Sequence, residues 1–107
     1  MFKIVDEFNF NWPVEIRVPS DGGKFKKHEI EVRFKGLDQT RISELVLSRD
    51  EDLLREVVVG WTGIQDEDGN ELAFSPDILD SLLDKPFVRA SLTEAYLSAV
   101  NGVERKN

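Results

Sequence analysis

Apolar and polar residues alternate in two neighbouring stretches near the start of the chain, 12–19 and 24–35. A period of two is typical of a strand that buries one face. The residues on the predicted buried faces are Val14, Ile16 and Val18 in the first stretch and His28, Ile30, Val32 and Phe34 in the second. Residues 20–23, Ser-Asp-Gly-Gly, separate the stretches, and glycine accepts the positive φ of a tight reversal. The pattern therefore predicts an antiparallel β-hairpin.

From Leu37 onward the apolar residues recur at spacings of three and four, which is typical of helices. The residues with this spacing are Ile42, Leu45, Val46, Leu53, Leu54, Val57, Val58 and Trp61. An interruption at 48–50 leaves open two helices or one kinked helix. Ser48 with Glu51 three residues later matches a capping box, which would start a second helix. Gly60 is predicted to end this helical segment as its C-cap.

Residues 61–74 are predicted to form a second, smaller hairpin. The dipeptide Asp68-Gly69 lies near its middle and is a strong hairpin-turn signal. Trp61 and Phe74 stand at the two ends of this segment, where we expect them to pack as core residues.

Two further helices are predicted after the second hairpin. Ser75 suits an N-cap and Pro76 suits the first helical position, so one helix should begin here. Pro86 marks the start of another helix, which continues to Gly102. The fold class predicted for the chain is α+β, with an N-terminal antiparallel β-hairpin or sheet, a small second hairpin near 61–74, and about four α-helices packed together.

The 107 residues are expected to form one domain, 1–107, in which the ends at 1–11 and 103–107 are flexible. No apolar run approaches the length of a membrane span, and the first residues lack the pattern of a signal peptide. The chain has no cysteine, so disulfides, thiolate metal sites and a cysteine nucleophile are all excluded. A cytoplasmic protein is the simplest interpretation.

The charge of the chain is concentrated in its middle third. Overall the net charge is -7, and residues 50–84 alone contain one arginine against eleven acidic residues. This balance argues against nucleic acid or anionic lipid as the main partner. Two interpretations of the acidic segment stay open, a solvated face that aids solubility or a surface that attracts a basic protein.

No catalytic, metal or cofactor site is predicted. His28 is the only histidine and is expected to be structural, because no second histidine or cysteine is available for a zinc site. The acidic run from Asp66 fails the EF-hand pattern, since Glu71 occupies the sixth position, where glycine is required. The glycines also lack the spacing of a phosphate-binding loop. The acidic run is therefore interpreted as a turn.

Several short motifs occur in an informative order. They are Val-Arg-Phe-Lys at 32–35, Val-Val-Val-Gly-Trp at 57–61, Asp-Glu-Asp-Gly at 66–69, Leu-Ala-Phe-Ser at 72–75, Lys-Pro-Phe-Val at 85–88, Glu-Ala-Tyr at 94–96 and Arg-Lys-Asn at 105–107. With these motifs the chain resembles the tail assembly chaperone family of long-tailed, siphovirus-type bacteriophages. The resemblance covers roughly residues 12–107 and is most specific over 60–75.

The resemblance implies a non-enzymatic α+β protein without a cofactor. Its expected partners are the tape measure protein, which it would keep soluble, and the tail tube protein, which it would help to recruit during tail morphogenesis. Self-association is expected as well. The expected location is the cytoplasm of the host bacterium, and the protein should be absent from the mature virion. Nucleic acid and membrane are not expected partners.

A chaperone of this kind needs an apolar surface on which a helical segment can dock. The candidate partner-binding residues are aromatic residues that core packing need not consume, Phe8, Phe10, Trp12, Phe87 and Tyr96. The alternative for each is an ordinary place in the core. A rival function is an acidic protein-binding inhibitor or DNA mimic of phage or mobile-element origin, which would use the acidic segment 50–84.

Overall fold

The computed structural model describes residues 1–5 and 7–103 and confirms the α+β fold class. In this part of the chain three strands form one sheet, and four helices accompany it. The elements are β1 (Asn9–Ser20), β2 (Lys24–Lys35), α1 (Gln39–Ser48), α2 (Asp50–Val57), β3 (Val58–Thr62), α3 (Pro76–Leu83) and α4 (Pro86–Val100). Residues 104–107 of the tail predicted at 103–107 lie outside the described part.

The predicted hairpin is confirmed as the antiparallel pair β1–β2, in which Ser20 pairs with Lys24 next to the connecting turn. Gly22 and Gly23 make the reversal with φ of +79° and +74°, a region that glycine enters without a Cβ clash. β1 starts at Asn9, three residues before the first alternating residue of the sequence pattern. Pairing continues one residue further, since the Gly36 amide donates to the Phe8 carbonyl at 2.8 Å.

The prediction that the helical segment reaches Trp61 is wrong for its last turn. α2 ends at Val57, and the next five residues form β3, which lies antiparallel to β2 and gives the strand order β1-β2-β3. Gly60 is therefore a strand residue and not a helix C-cap. The run of three valines at 57–59 explains the outcome, because β-branched side chains pack better on a pleated sheet than in a helix.

An irregularity in β3 explains why its sequence looks helical. Arg33 pairs with Gly60 but Phe34 pairs with Val58, so Val59 is an extra residue in a β-bulge. The bulge separates the inward residues Val58 and Trp61 by three positions instead of two. A strand with a bulge thus imitates the spacing of one helical turn.

One face of the sheet carries the helices. α4 crosses β1, where the Arg17 amide donates to Ser91 Oγ at 3.5 Å and the Arg17 guanidinium reaches Glu94 at 3.2 Å. α2 packs against α1, α3 and α4 and against β2. The buried core lies between these layers and consists of Val14, Ile16, Val32, Phe34, Ile42, Leu45, Leu53, Leu54, Val57, Val58, Leu79, Leu83, Val88, Leu92 and Tyr96.

The predicted helix starts have different outcomes. Ser75 caps α3 as expected, since its Oγ accepts the Ile78 amide at 3.1 Å. Pro86 opens α4 as expected. The prediction of a capping box at Ser48 is wrong. The N-cap of α2 is Arg49, which makes no side-chain cap bond. Ser48 Oγ instead donates to Asp52 Oδ2 at 2.7 Å, one turn further along.

The second hairpin near 61–74 is present in a reduced form. Within it only Gln65 and Glu71 form a bridge, and both lie outside the named strands. Trp61 holds the ends together, because its Nε1 donates to the Leu72 carbonyl at 2.8 Å and its ring meets Phe74 edge-on at 4.8 Å. The expected packing of Trp61 and Phe74 at the ends of this segment is confirmed, and both residues lie partly buried against the core.

Candidate functional site

Three of the five candidate aromatic residues form a row at the start of β1. The Phe8 and Phe10 rings stack with centroids 5.8 Å apart, and Trp12 meets Phe10 edge-on at 6.2 Å. Phe10 and Trp12 are half-buried against the core, whereas Phe8 is 49% exposed. The Phe8 ring lies on Gly36, where any Cβ would overlap it. The row is thus packed on one side and open to a partner mainly at Phe8.

Tyr96 is a core residue. Its side chain is fully buried, and its hydroxyl donates to the Lys35 carbonyl at 3.0 Å and accepts the Leu37 amide at 3.2 Å. Burial raises its pKa. Tyr96 therefore joins the end of β2 to the following segment, and in this conformation it offers no surface to a partner.

Phe87 lies in a different place, at an apolar cleft with a volume of about 470 Å³. The cleft opens between the hairpin end of the sheet and the junction of α3 with α4. Val32 and Val58 form its buried floor. The partly exposed walls are Val18 and Ile30 from the sheet, Ile64 from the loop after β3, and Leu82 and Phe87 from the helices.

Strand lengths explain why the cleft exists. β3 pairs with β2 only between Glu31 and Phe34, whereas the β1–β2 hairpin continues to Ser20 and Lys24. Past the end of β3 the sheet narrows, and the inward residue Ile30 lies beside Gly63 of the loop that follows the strand. Apolar side chains at this end are consequently left partly exposed.

The cleft was not found by sequence reasoning. The sequence pattern predicts Ile30 and Val18 on the inward face of the hairpin, as observed, but the end of the third strand decides whether that face is covered. The length mismatch between a long hairpin and a five-residue strand would have been the signal, and it was hidden because β3 has a helical spacing.

Four polar residues line the cleft, His28, Gln65, Asp66 and Lys85. His28 shares the face of β2 that carries Ile30 and Val32, as predicted, but its side chain is exposed and not buried. It pairs with Ile16 of β1, which is itself buried. The polar residues surround an apolar interior.

The acidic run at 66–71 is a turn, as predicted. Asp66 Oδ1 accepts the amides of Asp68 and Asn70, each at 2.9 Å, and Gly69 has a φ of +83°. Across residues 1–5 and 7–103, no group of three or more His, Cys, Asp or Glu side chains is placed to hold a metal ion. The carboxylate of Asp66 thus closes a loop at the edge of the cleft.

Arginine pairs neutralise part of the acidic segment. Arg41 holds Glu56 at 2.8 Å, Arg55 holds Asp80 at 2.8 Å, and Arg89 holds Glu51 at 2.9 Å. The hydrogen bond from Arg41 lowers the pKa of Glu56. The pKa of Glu51 is lowered by a hydrogen bond from its own backbone and then by Arg89.

The acidic turn beside the cleft is different from these paired carboxylates. Glu67, Asp68 and Glu71 are exposed, and each of the ion pairs found in the described residues involves other carboxylates. Negative charge is therefore available at the edge of an apolar cleft.

None of the helices in the described part of the chain has the length and apolar character needed to cross a membrane. Comparisons with protein-family models, with curated proteins and with solved structures found no match to this chain.

Proposed function

We propose that this chain is a non-enzymatic tail assembly chaperone of a long-tailed bacteriophage. In this role it binds the tape measure protein, keeps it soluble and helps recruit tail tube subunits. The observation that carries the proposal is the open apolar cleft between the hairpin end of the sheet and the α3–α4 junction. The motif order from 32–35 to 94–96 supplies the identity of the client.

The shape of the cleft suits side chains from an amphipathic helix. Its volume of about 470 Å³ falls within the range of pockets that bury apolar groups. A helix that docks in a groove inserts anchors spaced by three and four residues. Val18, Ile30 and Phe87 present the apolar surface that such anchors would bury. Tape measure proteins are long and helical, so they offer this kind of segment repeatedly.

The acidic turn at the cleft edge should favour some helical segments over others. Carboxylates beside an apolar groove favour a helix with lysine or arginine next to its apolar stripe, and they speed its approach at low salt. We therefore expect the bound segment to be amphipathic and basic at its margins. Binding should weaken with salt by less than a purely electrostatic complex would, because the cleft interior is apolar.

The test is co-expression with the tape measure protein, with its soluble fraction as the readout. Phe87→Lys and Val18→Lys each place a charge in the cleft and should lower the soluble fraction severalfold. Phe25→Lys is the matched control, because Phe25 lies on β2 but is 57% exposed away from the cleft. Circular dichroism should first show that each variant is folded.

Two results would count against the proposed function. One is an equal soluble fraction of the tape measure protein with and without this chain. The other is a fall in the soluble fraction with Phe25→Lys as large as that with both cleft variants. That result would place the binding surface on the opposite face of the sheet.

The rival function, an acidic inhibitor or DNA mimic, makes a different prediction. It requires binding to a basic, nucleic-acid-binding protein that falls steeply with salt and is insensitive to the cleft variants. Pairing of Glu51, Asp52, Glu56 and Asp80 with arginines reduces the free negative charge that such a mimic would use. The cleft therefore gives the chaperone proposal the stronger support.

A further inference from the structure

The turn end of the β1–β2 hairpin carries a concentration of positive charge. Residues 20–28 contain three lysines and one aspartate, whereas the whole chain has a net charge of -7. Lys24 and Lys26 are both exposed. No ion pair in residues 1–5 and 7–103 includes either of them. Their charge is therefore available to a partner.

These two lysines, which we call the lysine tip, lie on the cleft side of the sheet. Side chains of a strand alternate between its faces, so both lysines share the face of His28, which lines the cleft. Lys26 also pairs with Val18, another residue of the cleft wall. The neighbouring Lys27 belongs to the opposite face. The apolar cleft therefore continues into a positively charged surface.

The acidic turn at 66–71 borders the same cleft at a different place. The loop that leads to it passes β2 at Ile30, since a Cβ on Gly63 would lie 3.6 Å from the Ile30 Cα. Lys26 is four residues nearer to the hairpin turn, about 13 Å further along β2. The cleft thus has negative charge at one part of its border and positive charge at another.

We propose that the cleft takes a helical segment with opposite charges at its two ends, a charge order that rests on the client binding proposed above. The acidic end of the segment lies at the lysine tip, and the basic end lies at the acidic turn. Apolar side chains between the two ends fill the cleft. The reversed segment would place like charges together, which weakens binding, so the charge order fixes the direction in which the client lies.

The remaining wall of the cleft does not alter this order. At the α3–α4 junction Lys85 lines the cleft, and Asp84 precedes it in sequence. Because these two neighbours have opposite charges, the junction favours neither end of the segment. A helix of about nine residues covers about 13 Å, so two to three helical turns separate the charged ends of the client.

Three labelled helical peptides with the same leucine stripe test the charge order. The first has lysines at one end and glutamates at the other, about nine residues apart. The second has lysines at both ends, and the third has glutamates at both ends. Fluorescence anisotropy measures their dissociation constants at about 0.15 M salt, where charges more than about 8 Å apart are largely screened. We expect the first peptide to bind about threefold more tightly than either of the others.

Lys26→Glu reverses one charge of the lysine tip. It should weaken binding of the first peptide about threefold and strengthen binding of the second, a pair of opposite changes that unfolding cannot produce. Lys27→Glu is the matched control, because it makes the same change of charge on the opposite face, and both dissociation constants should stay within about 1.5-fold. A spin label on the glutamate end of the first peptide should broaden the NMR amide signals of Lys24 and Lys26 more than those of Glu67 and Asp68.

The outcomes separate this charge order from the proposed function. If no peptide binds, or if Phe87→Lys leaves binding unchanged, both are overturned. If Phe87→Lys weakens binding but the first two peptides bind equally, only the charge order is overturned. The same holds if Lys26→Glu and Lys27→Glu act alike, or if the label broadens the signals of the lysine tip and the acidic turn equally.

Discussion

The two ends of the β1–β2 hairpin have the same alternation of apolar residues but opposite surroundings. At the closed end, near Gly36, Phe34 is fully buried and its ring meets Tyr96 at 5.2 Å. At the open end, near Ser20, Ile30 is only partly buried and lines the cleft. The closed end pairs with the third strand, whereas the open end extends past β3.

An alternating pattern thus specifies which side of a strand is apolar, and neighbouring elements decide whether this side is covered. The closed end is therefore expected to contribute stability. The open end contributes an apolar surface for binding. Variants at matched residues of the two ends test this division between stability and binding.

The largest effect is expected from Phe34→Ala at the closed end. Removing a fully buried phenylalanine and leaving a cavity should cost about 3–5 kcal/mol of the free energy of unfolding. Phe25→Ala, on the opposite face of the same strand, should change it by less than about 0.5 kcal/mol. Urea denaturation measures both, and similar costs would contradict the assignment of faces.

Tyr96→Phe should have the next largest effect. The substitution keeps the ring but leaves the Lys35 carbonyl and the Leu37 amide without their partner. A buried polar group without a hydrogen bond costs about 1–3 kcal/mol. Chemical denaturation should show this loss, and hydrogen exchange should be faster at the Leu37 amide. An unchanged exchange rate would contradict the bridging role of Tyr96.

Phe87→Ala sharpens the comparison at the open end. Phe87 is only half-buried, so the same truncation should cost about 1–2 kcal/mol, well below that of Phe34→Ala. Denaturation measures the cost in stability. In the co-expression assay, the soluble fraction of the tape measure protein should fall by a larger proportion. A cost equal to that of Phe34→Ala would mean that the cleft is closed in solution.

The smallest effect concerns acid stability. The pKa of Glu56 is lowered in the folded chain by Arg41, so this pair stabilises the fold above the ordinary carboxyl pKa of 4.5 and loses that contribution as the pH falls through the lowered value. Glu56→Gln should therefore flatten the fall in melting temperature below pH 4.5. Glu67→Gln, on the exposed turn, is the control and should leave the slope unchanged.

Features that depend on local chemistry were predicted from the sequence. The turn at Gly22 and Gly23, the cap at Ser75 and the Asp66 turn each depend on residues within a few positions, and each is confirmed. The face of the hairpin that becomes apolar was also predicted, since it needs only the period of two.

Features that depend on distant partners were not predicted. The sequence pattern predicts a helix at β3 because the bulge gives a spacing of three, and only pairing with β2 reveals a strand. His28 was assigned to the core because no local signal marks the end of β3. The cleft and its walls follow from that same end, so the candidate site could not be seen in the sequence alone.

The contact between α4 and β1 has a consequence for the order in which the chain folds. The two elements are joined across 74 residues, from Arg17 to Ser91, whereas β1 and β2 are neighbours in sequence. A hairpin forms within about 1–10 μs, but long-range docking is slower because a large loop must close first. The inner side of the sheet therefore stays exposed until α4 docks on it. Variants that slow the docking of α4 on β1 should first cause aggregation during synthesis, before any loss of equilibrium stability is measurable.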